Sequence, residues 1–308
     1  MKKIKAKAVV GSVAKRLCSP RHIGRMVALQ RERKGHKRTF GDPQLELYSK
    51  LLPGGFLHYG YFDNPDTQPR DISLNDIERA QLRYAERLLE HVRATDAPIL
   101  DVGCGMGGLV HLMLKRGWHP VALSPDAHQM AAIRRNYPGV EAIESRFEDM
   151  DAANQSGRYG TVITMESVNY LKLEAAIPHI EALLQPGGRW VACDYFGIGD
   201  TRKRARAERW DRFQERIAAS GLQIVSQEDI TPHVMPTMRY LHLLGRDIAQ
   251  PVVEYCVTKM QQKQPAAHYL FTDVLTMLSQ KMELHLDAVN PDTFAATRRY
   301  LLLVMEMK

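Results

Sequence analysis

Two hydrophobic periods alternate along the middle of the chain. Short apolar runs that fit buried strands occur at 98–102, 119–123, 140–143, 160–165, 189–194 and 222–226, with one more at 299–307. Runs with apolar residues at helical spacing lie between them, at 107–116, 126–136, 172–184 and 204–219. Strands that alternate with helices indicate a mostly parallel sheet covered on both faces. We therefore predict an α/β fold with a doubly wound, mostly parallel, seven-stranded sheet.

The segments outside this alternation predict additions to the core. Residues 51–63 combine aromatic residues with glycines and are expected to be irregular. A helix is predicted over 73–92, where Ser73 and Asp76 resemble a capping box. Residues 233–290 are rich in Met, Leu, His and Tyr and predict helices separated by Pro236, Pro251, Pro265 and Pro291. We expect this block to be a helical lid, inserted before the last strand at the carboxyl edge of the sheet.

Charge is distributed unevenly along the sequence. The whole chain has a formal net charge of +7, but residues 1–40 contain thirteen Lys and Arg and one acid, Glu32, which gives +12. The remaining 268 residues sum to −5. Such a basic arm suits anionic lipid, nucleic acid or an acidic partner, and a solubilising extension explains it equally well. Its apolar residues also permit an amphipathic helix that lies on a surface.

Neither a membrane span nor a secretion signal is apparent. No apolar run approaches the roughly 18 residues of a spanning helix, and the basic start is not followed by an apolar stretch with a cleavage site. The four cysteines are widely scattered, which suits neither a disulfide framework nor a zinc site. We therefore expect a cytoplasmic protein without a metal, whose contact with a membrane, if it has one, is peripheral and made by residues 1–40.

The richest motif is the glycine-bearing segment 99–108. An apolar run ends in Asp101, four glycines follow within six residues, and a helical run begins, which predicts a strand, a tight turn and a helix start. Glycines let a ligand approach the backbone, and the helix start offers unpaired N–H groups. A nucleotide-like ligand is the leading interpretation.

The spacing G-x-G-x-x-G alone does not separate a nicotinamide dinucleotide from S-adenosylmethionine. Asp101 lies on the strand itself, where its carboxylate would repel a pyrophosphate but suit a cationic amino group. The next strand ends at Ser124 and Pro125, without the acid that a dinucleotide site places there for the ribose. Asp126, slightly later, is expected to start a helix. Both observations favour S-adenosylmethionine, whose methionine end carries an ammonium group.

These motifs resemble those of a known family. Residues 101–107 are similar to the first motif of class I S-adenosylmethionine-dependent methyltransferases, and residues 184–189 to their late L-x-P-G-G turn. Residues 165–167, 57–62 with Ala80 and Gln81, and 229–236 resemble a subgroup that includes cyclopropane-fatty-acid-synthase-like, tocopherol and sugar O-methyltransferases. The resemblance covers about residues 50–240.

The resemblance implies a cofactor site for S-adenosyl-L-methionine. In it, Asp101, Gly103 and Gly105 hold the methionine portion, and Ser124 lies near the ribose, where many relatives have an acid. Phe147 and Glu148 fall where relatives stack the adenine and accept its amino group, although a core ring and a solvated acid explain them too. The full implied set is Tyr59, Asp101, Gly103, Gly105, Ser124, Phe147, Glu148 and Met165.

Methyl transfer from a sulfonium is an in-line displacement that needs positioning, exclusion of water and, for some acceptors, a base. Glu166 ranks first as the catalytic residue that contacts substrate, although a structural acid bonded to backbone or to Tyr59 is an equal alternative. His58 and His233 are further candidates, and packed histidines are the more frequent outcome in such apolar surroundings. Asn169 stands where the resemblance places a glutamate in cyclopropane synthases, which argues for plain methylation.

Five segments follow from these motifs: a basic N-terminal arm (1–45), a cofactor-covering segment and helix (46–95), the cofactor-binding α/β core (96–232), a helical substrate lid (233–292) and the final strand (293–308). The expected function is methylation of a small apolar or amphipathic molecule. The alternatives are a lipid-modifying enzyme at a membrane surface and an RNA methyltransferase that uses the arm. A binder of the cofactor without activity is a further alternative. Residues 165–169 lack the Asn/Asp-Pro-Pro-aromatic segment of base-amine methylation, so nucleic acid is the weaker partner.

Overall fold

The computed structural model describes residues 18–35, 55–56, 58–93, 96–199 and 207–308. The described residues fall into two compact units. One unit contains residues 18–35 together with 242–288, and the other contains the remaining described residues up to 241 and from 289 onwards. Among the helices of the described segments, none combines the length and the apolar character that crossing a bilayer requires.

In the described part of the chain, seven strands form a single sheet in the order β3-β2-β1-β4-β5-β7-β6. Strands β1 to β5 pair in parallel, and β7 runs antiparallel to both β5 and β6. The strands are β1 Ile99–Val102, β2 Pro120–Ser124, β3 Glu141–Glu144, β4 Tyr159–Met165, β5 Leu184–Gly197, β6 Leu222–Asp229 and β7 Arg298–Met307. The predicted doubly wound, mostly parallel, seven-stranded sheet is confirmed.

The position of β1 in the sheet defines where a ligand is expected. Strand β1 pairs with β2 on one side and with β4 on the other, so the connections that leave these strands wind in opposite directions. In open α/β sheets, the crevice outside the carboxyl ends of two such strands is the usual ligand site. Asp101 of β1 and the residues after Met165 of β4 lie at this point.

The helices between the strands follow the predicted pattern closely. Ser73 caps the helix before β1 in a complete capping box with Asp76, as the sequence indicated. The helices of this unit are α2 Leu74–Leu89, α3 Gly108–Lys115, α4 Ala127–Asn136, α5 Leu173–Leu183, α6 Trp210–Ala219, α7 Thr231–Leu243 and α10 Pro291–Thr297. The smaller unit, which contains residues 18–35 and 242–288, includes the last two residues of α7. Its other helices are α1 Pro20–Gly35, a π-helical segment Leu244–Ala249, α8 Gln250–Lys263 and α9 Pro265–Ala288.

The predicted separation of helices at each proline is wrong at two positions. Pro236 lies inside α7, and Pro251 lies in the first turn of α8, with unbroken helical backbone from residue 231 to residue 263. Pro265 and Pro291 do begin helices, because the first turn has no internal partner for the missing N–H. Pro251 closely follows the π-helical backbone of residues 244–249, so its missing N–H falls within continuous helix. Pro236 is buried within α7, where tertiary packing offsets the lost hydrogen bond.

Alternate residues of each central strand belong to two different apolar clusters. Leu100 and Val162 join one cluster, while Ile99 and Ile163, their neighbours in sequence, join the other. This two-residue period is that of a sheet with both faces covered. Trp190 is fully buried in the first cluster, and its indole N–H donates to Oγ1 of Thr164 at 2.8 Å. The second cluster adjoins the carboxyl ends of β1 and β4, where the candidate site lies.

Candidate functional site

The turn after β1 is formed by glycines in left-handed backbone. Gly103, Gly105 and Gly107 have φ angles of 81°, 55° and 93°, which side-chain-bearing residues rarely adopt. A Cβ at Gly103 would stand 2.8 Å from the Cβ of Ser167, which follows β4. The Ser167 hydroxyl in turn donates to the Val102 carbonyl at 2.6 Å. The two motifs at 101–107 and 165–167 are therefore in direct contact.

Helix α3 begins at this turn without a side-chain cap. Gly107 is its N-cap residue, and a Cβ there would stand 2.7 Å from both Ile133 and Tyr137. Because no side chain caps the first turn, its N–H groups and the positive end of the helix dipole can bind an anionic group. A ligand carboxylate is one anionic group that such N–H donors bind.

Asp101 is a buried carboxyl group with an incomplete set of partners. The residue is 1% exposed, and its Oδ2 atom has no hydrogen-bond partner among the described residues. Burial disfavours the charged form and raises the pKa of Asp101 to about 7. A buried carboxylate in this condition is costly unless a cation or a donor completes it. A ligand ammonium group beside the glycine turn meets that need.

Glu166 follows β4 in an unusual backbone conformation. Among the described residues other than glycine, it alone has a positive φ, 51°, and such strain collects at functional positions. Its Oε1 atom accepts hydrogen bonds from the Tyr59 N–H at 2.9 Å and from the Tyr300 hydroxyl. Burial raises the pKa of Glu166 to about 8, although these two hydrogen bonds favour its charged form.

Two tyrosines that the sequence analysis did not select surround Glu166. The hydroxyl oxygens of Tyr300 and Tyr84 are 3.2 Å apart, and the Tyr84 hydroxyl donates to the Cys193 carbonyl at 3.4 Å. Tyr300 opens an otherwise aliphatic stretch of β7, and Tyr84 lies on the buried face of α2. The sequence did contain a signal for both residues: each places a hydroxyl among apolar residues. Because a buried tyrosine hydroxyl normally has a hydrogen-bond partner, such a position indicates a polar group nearby.

The segment with Tyr59 is held between two helices. Gly60 donates its N–H to Oγ1 of Thr237 at 3.1 Å, and a Cβ at Gly60 would lie 2.5 Å from the Cβ of Ala80. The next residue, Tyr61, donates its N–H to the Ala80 carbonyl at 2.8 Å. The backbone is thereby fixed against α2 and α7, and it presents the Tyr59 N–H to Glu166.

His58 is a neutral, packed histidine. Its Nδ1 lies 2.6 Å from the Tyr59 carbonyl oxygen, and its ring stacks on Tyr84 with centroids 4.4 Å apart. Burial lowers the pKa of His58 to about 4. The buried Nε2 atom has no partner within the described residues.

His233 lies in the first turn of α7. Its Nδ1 is 2.7 Å from the Phe62 carbonyl oxygen, and its ring stacks in parallel on Tyr61 at 4.3 Å. The Phe62 N–H also donates to the His233 carbonyl at 2.9 Å. His233 therefore fastens the segment of residues 58–62 to α7.

Ser124, at the carboxyl end of β2, makes local contacts. Its hydroxyl donates to Oε1 of Gln129 at 2.7 Å and accepts the Asp126 N–H at 3.1 Å. Asp126 caps α4 by accepting the N–H groups of residues 128 and 129, as predicted for a helix-starting acid. Gln129, which the sequence analysis did not select, adds an amide beside the predicted ribose position.

The residues predicted for the adenine lie in a short turn after β3. Phe147 is 2% exposed within the first apolar cluster. Glu148 accepts the Lys172 N–H at 2.6 Å through Oε1, and its Oε2 lies 3.7 Å from Nε of Arg146. Met165, the last residue of β4, pairs with Cys193 and is half-buried against the second cluster. Their contact with an adenine stays a prediction.

Comparison with known proteins shows the family. A family model described as "Methyltransferase domain" matches residues 74–231. Similar curated proteins include a phthiotriol/phenolphthiotriol dimycocerosates methyltransferase of Mycobacterium leprae (25% identity, 58% of this chain and 64% of that protein). Others are a ubiquinone biosynthesis O-methyltransferase of Azotobacter vinelandii (31%, 38% and 50%) and the chloroplastic tocopherol O-methyltransferase of Arabidopsis thaliana (28%, 45% and 43%). The chain thus spans less than two thirds of the length of these relatives.

Solved structures share the fold at low sequence identity. The geranyl diphosphate C-methyltransferase of Streptomyces coelicolor, solved with Mg²⁺, geranyl diphosphate and S-adenosyl-L-homocysteine, has a TM-score of 0.59 at 16% identity, covering 84% of this chain and 92% of that one. A putative sarcosine dimethylglycine methyltransferase of Galdieria sulphuraria has a TM-score of 0.62 at 12% identity, covering 86% and 98%. These neighbours confirm the predicted Rossmann-like fold, and the match to the family model establishes that the chain belongs to the methyltransferase-domain family.

Proposed function

We propose that this chain transfers the methyl group of S-adenosyl-L-methionine to a small apolar or amphipathic molecule. The observation that carries the proposal is Asp101, a buried carboxyl group with an unpartnered oxygen beside a turn of left-handed glycines. Membership of the family supports it, as does the S-adenosyl-L-homocysteine in a structural neighbour.

The residues of the crevice fit this cofactor. Asp101 would bind the ammonium group of the methionine portion, and the uncapped start of α3 would bind its carboxylate. Gly103 and Gly105 leave the backbone open to close approach. When bound, S-adenosylmethionine supplies a methyl group attached to a positively charged sulfur, which is a good leaving group.

This chain's residues then have three tasks. The segment of residues 58–62, held by Thr237 and Ala80, covers the crevice and excludes water. The carbonyl and carboxylate groups at the end of β4 orient the acceptor in line with the transferred methyl group. Glu166 would take the acceptor proton where one must leave, because the hydrogen bonds from the Tyr59 N–H and the Tyr300 hydroxyl favour its charged form. His58, with a free ring nitrogen, and His233 are secondary candidates for this role.

The substrate class is proposed from the names of relatives and from the apolar surroundings. Those names include dimycocerosates, ubiquinone, tocopherol and geranyl diphosphate, all of them names of largely apolar or amphipathic molecules. A lipid acceptor is consistent with peripheral membrane contact through residues 1–40, whose net charge is +12. We place the protein in the cytoplasm, where the free thiols Cys18, Cys104, Cys193 and Cys256 remain reduced.

Calorimetric titration with S-adenosylhomocysteine tests the cofactor assignment. We expect the wild type to bind, and Asp101→Asn to bind about tenfold or more weakly, because a charge-assisted hydrogen bond to a buried group is lost. Asp96→Asn is the matched control, since Asp96 is exposed five positions earlier and should leave the affinity unchanged. Absence of binding to the wild type, or equal affinity in both variants, would refute the assignment. Incubation of lipid extracts with methyl-labelled cofactor then identifies the acceptor.

A further inference from the structure

Helix α9 has an apolar face that is largely uncovered. At 100° per residue, its apolar side chains occupy one broad arc, which only Lys281 and His285 interrupt, and its other polar side chains, such as Thr276 and Ser279, occupy the opposite arc. Only one edge of the apolar arc is covered, where Leu286 is buried and Leu275 and Met282 are half-buried. The rest is exposed: Leu270, Phe271, Val274, Met277, Leu278 and Leu284.

The exposure on this face is large for apolar side chains. Leu284 is 70% exposed, Leu270 56% and Leu278 53%. The neighbouring helix α8, which packs against α9, repeats the arrangement: Val252 and Val253 are exposed, whereas Val257 and Met260 are half-buried. Exposed apolar side chains on two helices that pack together are typical of a surface that binds a partner. We call the exposed apolar residues of α8 and α9 the apolar face.

The unit that carries this face is joined with the most basic part of the sequence. Helix α1 belongs to the same unit, and in it Arg21 and Arg25 are exposed beside the exposed apolar residues Ile23 and Val27. Residues 1–40, which include α1, have a net charge of +12. Residues 242–288 contain four Lys and Arg and five Asp and Glu, a net charge of −1, so the excess of positive charge in this unit comes from residues 1–40. A unit with uncovered apolar side chains and a net positive charge is complementary to anionic lipid head groups above acyl chains.

We propose that the apolar face of α8 and α9 docks onto a bilayer that contains anionic phospholipids. The apolar side chains enter the boundary between head groups and acyl chains, and the exposed Arg21 and Arg25 of α1 bind lipid phosphates. Lys281, which interrupts the exposed arc between Leu270 and Val274, fits this arrangement, because its long side chain extends to the head groups while the stem stays in the apolar layer.

A second copy of the chain is the competing occupant. Like subunits usually associate through the same patch on both partners, which would bring two units of this kind together, each with the arm of +12 charge. Repulsion between like charges disfavours such a pair, whereas an anionic bilayer attracts the same charges. Charge complementarity therefore selects the lipid surface.

This inference deepens the proposed membrane contact, which rested on residues 1–40 alone. It adds a second lipid-binding surface in α8 and α9, for which the sequence analysis predicted no contact with lipid. It does not depend on the cofactor: vesicle binding needs no S-adenosylmethionine, and cofactor titration needs no vesicles. A failure of one experiment therefore leaves the other interpretable.

Vesicle flotation with the full chain tests the proposal. The vesicles contain phosphatidylcholine either alone or mixed with phosphatidylglycerol, at low and at raised salt. The variant Leu270→Gln with Leu278→Gln removes two exposed apolar side chains, and its matched control is Thr276→Gln with Ser279→Gln on the polar side of the same helix. All four positions are exposed, so we expect all proteins to fold, which circular dichroism verifies. Light scattering gives the oligomeric state of each protein.

We expect the wild type and the control to bind the mixed vesicles, with weaker binding to phosphatidylcholine alone and at raised salt. The leucine variant should bind about tenfold more weakly, because two leucine side chains that would enter the bilayer are lost. Equal binding of the leucine variant and the control would overturn the proposal. So would a wild-type dimer that the leucine substitutions convert to a monomer with vesicle binding unchanged, since a second copy would then cover this face.

Discussion

The Tyr300 hydroxyl donates a hydrogen bond to Oε1 of Glu166, although the two residues are 134 positions apart in the sequence. The contact joins the antiparallel strand β7 to the end of β4, across β5. Because the same oxygen accepts the Tyr59 N–H, Glu166 also connects the sheet to the segment of residues 58–62. The proposed catalytic carboxyl group is therefore oriented by residues from three distant parts of the chain.

Tyr300→Phe should raise the pKa of Glu166 beyond about 8, because the hydroxyl favours the charged carboxylate. We expect the pH profile of methyl transfer to shift to higher pH and the free energy of unfolding to fall by about 1–2 kcal/mol. Tyr195→Phe is the control, since its ring packs 6.3 Å from that of Tyr300 without a hydrogen bond to Glu166 in the described contacts. An unchanged pH profile in Tyr300→Phe would contradict a positioning role for the hydroxyl.

Affinity for S-adenosylhomocysteine should increase as pH rises through about 7. The free Asp101 carboxyl group is partly protonated near that pH, and only its charged form pairs with the ligand ammonium. Calorimetry across this range checks the trend, and Asp101→Asn should show a flat dependence. A wild-type affinity that is constant over the same range would remove Asp101 from the ammonium site.

The free energy of unfolding should decrease with rising pH, whereas the ligand affinity should increase. Asp101, Glu166 and Asp194 all have folded pKa values raised by burial, to about 7, 8 and 6. The folded state then binds more protons than the unfolded state between about pH 4 and pH 8, so the free energy of unfolding falls as pH rises through that window. His58, with its pKa lowered to about 4, opposes this trend between about pH 4 and 6.5. Urea unfolding at several pH values measures the sum, and stability that increases over pH 7–8 would contradict it.

Gly103→Ala should weaken S-adenosylhomocysteine binding and lower stability, because the added Cβ meets Ser167 at 2.8 Å in left-handed backbone. Gly117→Ala separates the two causes, since Gly117 has a similar φ of 72° but open space around it. We expect about 1 kcal/mol of destabilisation from backbone strain at Gly117 and about 2–4 kcal/mol at Gly103, measured by urea unfolding. Equal losses of unfolding free energy at Gly103 and Gly117 would show that the turn does not pack closely against Ser167.

Gly60→Ala should release the covering segment. The added methyl group would lie 2.5 Å from the Cβ of Ala80, so the backbone must move away from α2 and lose its bonds to Thr237. We expect a loss of about 1–3 kcal/mol of unfolding free energy and weaker S-adenosylhomocysteine binding. Gly139→Ala is the control, because nothing lies within 4 Å of its Cβ position. If Gly60→Ala bound the ligand as the wild type does, the segment would not cover the site.

The sequence predicted the centre of the sheet well because β1, β2 and β4 are buried on both faces, whereas the edge strands β3 and β6 are largely exposed. Continuous apolar runs such as 99–102 and 159–165 mark parallel strands, and the glycines after Asp101 mark a turn that only one backbone geometry satisfies. Local patterns of this kind need no knowledge of distant residues. The capping box at Ser73 and the helix-starting Asp126 were predictable for the same reason.

Long-range contacts were not predictable in this way. The clamp of Gly60 by Thr237 spans 177 positions, and the partners of Glu166 come from β7 and from residue 59. The hydroxyl of Tyr300 in an otherwise apolar strand is visible in the sequence, but its partner Glu166 is not, because that contact depends on which strand lies beside β5. The predicted helix breaks at Pro236 and Pro251 were wrong for a related reason, since tertiary packing outweighs the local cost of proline in a helix.

The placement of β7 has a consequence for how the protein is assembled during translation. Strand β7 lies between β5 and β6, yet it is the last of these strands to leave the ribosome. Until it inserts, the edges of both neighbours are open and Glu166 lacks its hydroxyl donor. The hydroxyl that bonds to Glu166 is therefore synthesised after every other described contact of this carboxyl group.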